Sequence, residues 1–112
     1  MSNTEPLVRE QNKQLVAEFD DYLKQSGLSS KTVKSQVLAL DFFTEYLVYD
    51  EPYTFLSEAD TSDVSGFLDY FFPRKALWAN ETSVKEYVTV FKKLFKWLVS
   101  TKRMAEDDYL FL

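Results

Sequence analysis

The sequence predicts an all-α fold in which residues 1–112 form one domain, a bundle of four helices. The chain is 46% hydrophobic and has only two glycines and three prolines, a composition typical of a compact protein with few tight turns. Apolar residues recur every three or four positions, which is the period of a helical face. Helix-start and helix-stop residues place the four helices at about 6–25, 30–49, 61–72 and 82–102.

The first predicted helix begins near Pro6, a residue well suited to a first helical turn, and ends before Gly27. We expect Gly27 to adopt the left-handed conformation that follows many helices. Ser29 or Ser30 then caps the second helix by accepting a backbone N–H bond. The apolar face of the first helix consists of Val8, Leu15, Phe19, Tyr22 and Leu23.

The second predicted helix is apolar on two sides, so we expect it to lie at the centre of the bundle. It ends where Asp50, Glu51 and Pro52 interrupt the pattern. The apolar loop residues after it are expected to pin the loop to the core. Its inward face comprises Val33, Val37, Leu40, Phe43 and Leu47, and its second strip comprises Leu38, Phe42 and Tyr46.

The third predicted helix begins at Asp60, with Asp63 placed to complete a cap three residues later. It is expected to end before Pro73, because a proline disfavours the helical conformation in the residue that precedes it. In the following connection, Trp78 either fills a gap in the core or faces a partner. The inward residues of this helix are Val64, Phe67, Leu68 and Phe71.

The fourth predicted helix carries both an apolar face and a basic stripe. Asn80 or Thr82 caps it. The stretch from Val84 to Arg103 has a net charge of +5, although the whole chain has −5, so charge is segregated along the sequence. The apolar face comprises Val84, Tyr87, Val88, Phe91, Leu94, Phe95 and Leu98, and Lys85, Lys92, Lys96 and Arg103 form a narrow band beside it.

Several classes of protein are disfavoured by what the chain lacks. It has no histidine and no cysteine, which removes the commonest general base, the thiol nucleophile and all nitrogen and sulfur metal ligands. No glycine-rich phosphate loop exists, and the acidic clusters lack the pattern of a calcium loop. We therefore expect no enzymatic activity, no cofactor and no metal site. Because it has neither a membrane span nor a secretory signal, we expect a cytoplasmic protein with no membrane or small-molecule partner.

Three segments together resemble the N-terminal core-binding, SAM-like domain of tyrosine recombinases, the phage integrase family. Residues 19–35, FDDYLKQSGLSSKTVKS, resemble the end of that domain's first helix, its Gly-Leu-Ser turn and the Lys-Thr start of its second helix. Residues 59–68 are similar to the short third helix. Residues 83–98, SVKEYVTVFKKLFKWL, resemble the fourth helix. The resemblance covers about residues 8–104.

The resemblance implies a SAM-like four-helix domain that clamps duplex DNA opposite a C-terminal catalytic domain during DNA recombination and integration. Double-stranded DNA is then the expected partner, together with a catalytic domain or other protomers. Ammonium and hydroxyl groups suit phosphate binding, and arginines that could fork onto guanine are missing from both elements, so we expect more positioning than base reading. The residues implied to contact DNA are Ser30, Lys31, Thr32, Lys34, Ser35, Lys85, Thr89, Lys92 and Lys96.

Some features of the sequence depart from the family. The catalytic arginines, histidine and tyrosine nucleophile are absent, and Ala-Glu-Asp-Asp follows Met104 where the family has Asn-Pro. The chain is therefore either an excised N-terminal domain or a free-standing relative. The alternative function is a helical protein–protein interaction module that has lost DNA binding and uses Trp78 and the apolar residues 109–112. An overall pI near 4.7 counts against wholesale nucleic-acid binding, although an acidic domain can still dock on DNA through one basic face.

Overall fold

A computed structural model describes residues 4–49, 52–76 and 80–104. The described residues contain helices and no β-strand, so the predicted all-α class is confirmed. Packing divides the chain into two compact units, Met1–Leu56 and Ser57–Leu112. The helices are α1 (Glu5–Gln25), α2 (Ser30–Leu47), α3 (Thr61–Gly66), α4 (Phe72–Lys75) and α5 (Glu81–Ser100), with a 3₁₀ turn at Leu56–Glu58 and a π-helical turn at Phe67–Phe71.

The first unit consists of α1, α2 and the loop that follows them. Gly27 has a φ of +81°, as predicted for the residue after α1. The α2 helix ends at Leu47, two residues earlier than predicted, and the Thr54 N–H donates to the Leu47 carbonyl at 3.0 Å as the loop returns. The fully buried side chains of this unit include Val8, Phe19, Leu23, Leu40, Phe43 and Leu56.

Two residues predicted to face inward are exposed. Tyr22 is 40% exposed and Leu38 is 56% exposed. At about 100° per residue, Leu38 lies roughly 160° around α2 from the fully buried Leu40. Its exposure follows from that position, whereas Phe42 and Tyr46 from the same predicted strip are half-buried.

A buried asparagine holds the returning loop against α1. Asn12 is only 2% exposed, although it lies on a helical face that is otherwise apolar. Its Nδ2 donates to the Thr54 carbonyl at 3.2 Å, and its Oδ1 accepts the Leu56 N–H at 2.7 Å. One amide therefore satisfies both a donor and an acceptor of a loop that has no strand or helix partner at those positions.

The second unit begins with a reciprocal cap at the start of α3. The Asp60 carboxylate accepts the Asp63 N–H at 3.1 Å, and the Asp63 carboxylate accepts the Asp60 N–H at 3.0 Å. This arrangement is a capping box, and it agrees with the predicted helix start.

The helical run does not stop before Pro73, so that prediction is wrong. After the π-helical turn the chain continues as α4 to Lys75. The Phe72 N–H donates to the Phe67 carbonyl, five residues earlier. This wider turn gives the proline ring room that an α-helix would not give it, because there the ring would clash with a carbonyl of the preceding turn.

Aromatic packing joins this segment to α5. The ring centroids of Phe67 and Phe72 lie 5.7 Å and 4.6 Å from that of Tyr87. Phe91 meets Phe67 edge-on at 5.9 Å and 86°. Such pairs contribute roughly 0.5–1.5 kcal/mol each beyond the area that they bury. All four rings are buried, so they fix the rotation of α5 about its own axis.

The α5 helix ends at Ser100, and the turn after it contains a lysine in an unusual conformation. Lys102 has a φ of 62°, in the left-handed region. The Arg103 N–H donates to the Leu98 carbonyl at 2.8 Å, and the Lys102 N–H donates to the Val99 carbonyl at 3.0 Å. These two bonds form a Schellman motif, in which the left-handed position usually holds glycine.

Replacement of Asn12 by alanine is expected to lower the free energy of unfolding by about 2–3 kcal/mol. The change removes two hydrogen bonds and leaves a buried N–H and a carbonyl without partners. Urea denaturation followed by circular dichroism measures the loss. The exposed neighbour Gln11→Ala provides the control. Equal stabilities of the two variants would contradict the role assigned to Asn12.

Lys102→Gly is expected to raise the free energy of unfolding by about 0.5–1 kcal/mol. Glycine removes the steric cost that an L-residue incurs at positive φ, and its greater freedom in the unfolded chain offsets part of that gain. Lys102→Ala is the matched control, because it also removes the charge but keeps the Cβ atom. The same denaturation experiment applies, and similar stability changes in both variants would show that the backbone conformation is not the cause.

Candidate nucleic-acid interface

The first candidate contact segment is the N-terminus of α2. Ser29 is its N-cap, and its Oγ accepts the Thr32 N–H at 3.2 Å and donates to Thr32 Oγ1 at 2.9 Å. Of the two serines left open by the sequence, the cap is therefore Ser29. The backbone N–H groups at the first helical positions, Ser30 and Lys31, have no intrahelical acceptor and point out of the helix end. A helix N-terminus of this kind attracts anions.

The five predicted contacts in this segment divide into two groups. Ser30, Lys31, Lys34 and Ser35 are exposed, and their spacings of three and four residues place them next to one another on α2. Thr32 is half-buried, and its hydroxyl is engaged by Ser29. The structure therefore leaves four of the five side chains open to a ligand and gives Thr32 a part in the cap.

A groove that the sequence pattern does not indicate lies beside this segment. Its volume is about 560 Å³, and it lies between the end of α1 and the first half of α2. Ser30 and Lys34 line it together with Lys24, which pairs with Asp20 at 3.4 Å. The apolar lining consists of Leu28, Val33, Val37 and Leu38. Leu38 is an apolar residue at an exposed position of α2, which is the one sequence signal of this groove. The groove itself depends on how α1 packs on α2, and the sequence does not give that packing.

The second candidate contact segment lies on α5. Asn80 caps this helix: its side chain accepts the Ser83 N–H at 2.9 Å, and Ser83 Oγ accepts the Asn80 N–H at 2.8 Å. Asn80 is thus the residue that begins the helix, rather than Thr82. This capping box fixes where α5 begins, and the aromatic cluster fixes which side of the helix faces outward.

A basic stripe runs along the exposed side of α5. Arg103 of the predicted band lies beyond the end of α5 and over the Trp97 ring, so the stripe comprises Lys85, Thr89, Lys92 and Lys96, and all four residues are exposed. At about 100° per residue they lie within roughly 60° of one another, centred nearly opposite the buried Tyr87. With a rise of about 1.5 Å per residue, the stripe is about 16 Å long, close to half a turn of B-DNA. The Thr89 hydroxyl donates to the Lys85 carbonyl at 3.1 Å, which orients its Oγ1 on the helix surface.

Residues 16–102 match the family model described as the N-terminal SAM-like domain of phage integrase. The chain belongs to this family. The matched residues include both candidate contact segments, and what they match is the N-terminal domain of integrases, not a catalytic domain. No curated protein and no solved structure matches the chain.

Four aromatic residues on the apolar faces of α2 and α5 lie in the core of this integrase SAM-like domain. Phe43, Phe91, Phe95 and Trp97 are at most 7% exposed, so none of them forms an open base-stacking surface. Arg103 Cζ lies 5.0 Å from the Trp97 ring centroid, so the arginine covers the outer edge of the core. Trp78 and the apolar residues 109–112, on which the protein-interaction alternative depends, lie outside the described residues.

The described part of the integrase domain contains neither a carboxylate cluster suited to a metal ion nor a membrane-spanning helix. No group of three or more carboxylates in it is placed to hold a metal ion. None of its helices combines the length and the apolarity needed to cross a bilayer. The acidic cluster Glu106-Asp107-Asp108 lies outside the described residues.

Proposed function

We propose that this protein is a DNA-binding module of an integrase-like recombination system. It contacts duplex DNA through the exposed residues at the start of α2 and through the basic stripe of α5. The observation that supports this proposal best is the stripe: three lysines and a threonine, all exposed, lie on one side of a helix whose opposite side is core. Because the chain belongs to the integrase domain family, duplex DNA is the partner that we expect for such a surface.

The proposed contacts are chiefly to the phosphate backbone. Lysine ammonium groups act as point charges, and hydroxyls and helix N-terminal amides accommodate phosphate oxygens. None of the residues in the two segments is an arginine, the residue that most often reads guanine. The module therefore positions DNA, and DNA strand cleavage falls to a separate catalytic domain, in the same protein or in another protomer.

The acidic composition of the chain is compatible with this proposal. Counterion release depends on the cations that meet phosphates, whereas the net charge of −5 acts at longer range. The acids reduce long-range attraction, so binding is expected to be weak at physiological salt and clear at low salt. The two units are proposed to act together as a single module.

The test is a fluorescence-anisotropy titration against a mixed-sequence duplex at several salt concentrations. Wild-type binding is expected to weaken steeply with salt. The double variant Lys31→Gln/Lys92→Gln removes one cation from each segment, so the slope of log affinity against log salt is expected to fall by about 2. Affinity at low salt is expected to fall at least about tenfold, with the helical circular dichroism unchanged.

Lys13→Glu provides a matched control for this experiment. Lys13 is exposed on α1 and belongs to neither segment, and its reversal gives the same net charge as the double variant. If the control loses as much affinity as the double variant, net charge and not the two segments governs binding. If the folded wild-type protein does not bind duplex at low salt, the proposed function is wrong.

A further inference from the structure

An exposed stacked pair of side chains lies outside both candidate contact segments. Tyr70 is 64% exposed, the highest value among the large hydrophobic side chains of the described residues. Arg74 Cζ lies 5.0 Å from its ring centroid. Arg74 Nη1 also donates to the Tyr70 carbonyl at 3.2 Å. The guanidinium is therefore held from two directions, by a ring and by a backbone oxygen, while it stays at the surface.

The local backbone explains why this pair faces outward. Phe67 and Phe72 are buried against α5, and Tyr70 lies between them in sequence, on the wide π-helical turn. Pro73 immediately precedes Arg74, and its ring restricts the φ of Pro73 itself to near −65°. The same aromatic packing that anchors this segment thus presents Tyr70 and Arg74 on its outer side. Turns of this kind occur frequently at functional sites.

The chemistry of the pair suits one class of ligand. A guanidinium has five N–H donors in a planar fork, and the Tyr70 carbonyl occupies only part of that capacity. The stack and the backbone bond reduce the entropy lost when the fork binds two oxygens of an anion. No carboxylate of the described residues forms an ion pair with Arg74. The nearest acid in the sequence is Asp69, five positions before Arg74.

We propose that Tyr70 and Arg74 form a third DNA contact of this domain. The guanidinium of Arg74 binds a phosphodiester of duplex DNA, and the Tyr70 ring holds that guanidinium in its orientation. This inference rests on the proposed function, because the ligand is the same DNA. It adds a residue type that the two lysine-bearing segments lack, since a planar fork fixes orientation where an ammonium group supplies only charge.

The experiment compares four substitutions in the full chain by the same duplex titration. Arg74→Ala is expected to lower affinity about tenfold and to reduce the salt slope by about 1, equally on duplexes of different sequence. Arg74→Lys keeps the charge but not the fork, so it is expected to restore the salt slope and only part of the affinity. Tyr70→Ala is expected to weaken binding, whereas Tyr70→Phe keeps the stacked ring and binds as wild type.

The control is Lys13→Ala, which removes one exposed cation from a helix with no assigned contact. If Arg74→Ala matches this control while Lys31→Gln/Lys92→Gln loses affinity, the third contact is wrong and the proposed function stands. If Arg74→Ala loses affinity only on some sequences, the fork reads a base and the phosphodiester assignment is overturned. If the folded wild type binds no duplex, both proposals fall. Thermal melting of each variant establishes that it is folded.

Discussion

The packing of four aromatic rings, Phe67, Phe72, Tyr87 and Phe91, is the constraint on which the second unit depends. A helix with apolar residues over much of its circumference could pack in more than one rotation. Here two rings from the α3–α4 segment meet Tyr87 within 6 Å, which selects one rotation. The ring packing thereby also determines which side of α5 is exposed, because the selected rotation leaves Lys92 and the rest of the basic stripe facing solvent.

This coupling accounts for how an acidic protein can carry a basic surface. Buried rings and exposed lysines occupy opposite sides of one helix, so the core determines where the positive charge is presented. Charge on a rigid helix loses less freedom on binding than charge on a loop, which favours ordered contact with a regular polyanion. Arg74 is likewise a cation held at the surface by a packed segment, because the ring and the carbonyl that contact it belong to the segment that anchors α5.

The parts of the fold that were predictable from the sequence are those specified by residues a few positions apart. The caps at Ser29, Asp60 and Asn80 and the left-handed Gly27 depend on local chemistry, and each is found where one of the proposed residues places it. The family resemblance was predictable for the same reason, since its turn and helix patterns are local. The DNA contacts assigned to individual side chains remain predictions, because sequence spacing gives exposure and direction but no ligand.

What could not be predicted depends on packing between distant segments. The two hydrogen bonds of Asn12 join residues more than forty positions apart. A single asparagine within an apolar stripe does not indicate which residues it will bond. Pro73 has the ordinary signature of a helix stop, and neither the burial of Phe72 nor the π-helical turn before it can be read from that signature. The left-handed Lys102 and the groove beside α2 are likewise invisible to periodicity, since both arise from how a helix ends or pairs.

The reciprocal cap of α3 is sensitive to acid, whereas the caps of α2 and α5 are not. The hydrogen bond from the Asp63 N–H lowers the pKa of Asp60, so this cap contributes fully above about pH 4 and is lost as pH falls through the lowered value. Burial acts oppositely on Asp63 and raises its pKa. Ser29 and Asn80, which cap α2 and α5, do not titrate. Below the lowered pKa of Asp60 the α3 cap therefore loses its carboxylate acceptor for the Asp63 N–H, a change that faster amide exchange at Asp63 than at Thr32 or Ser83 would reveal.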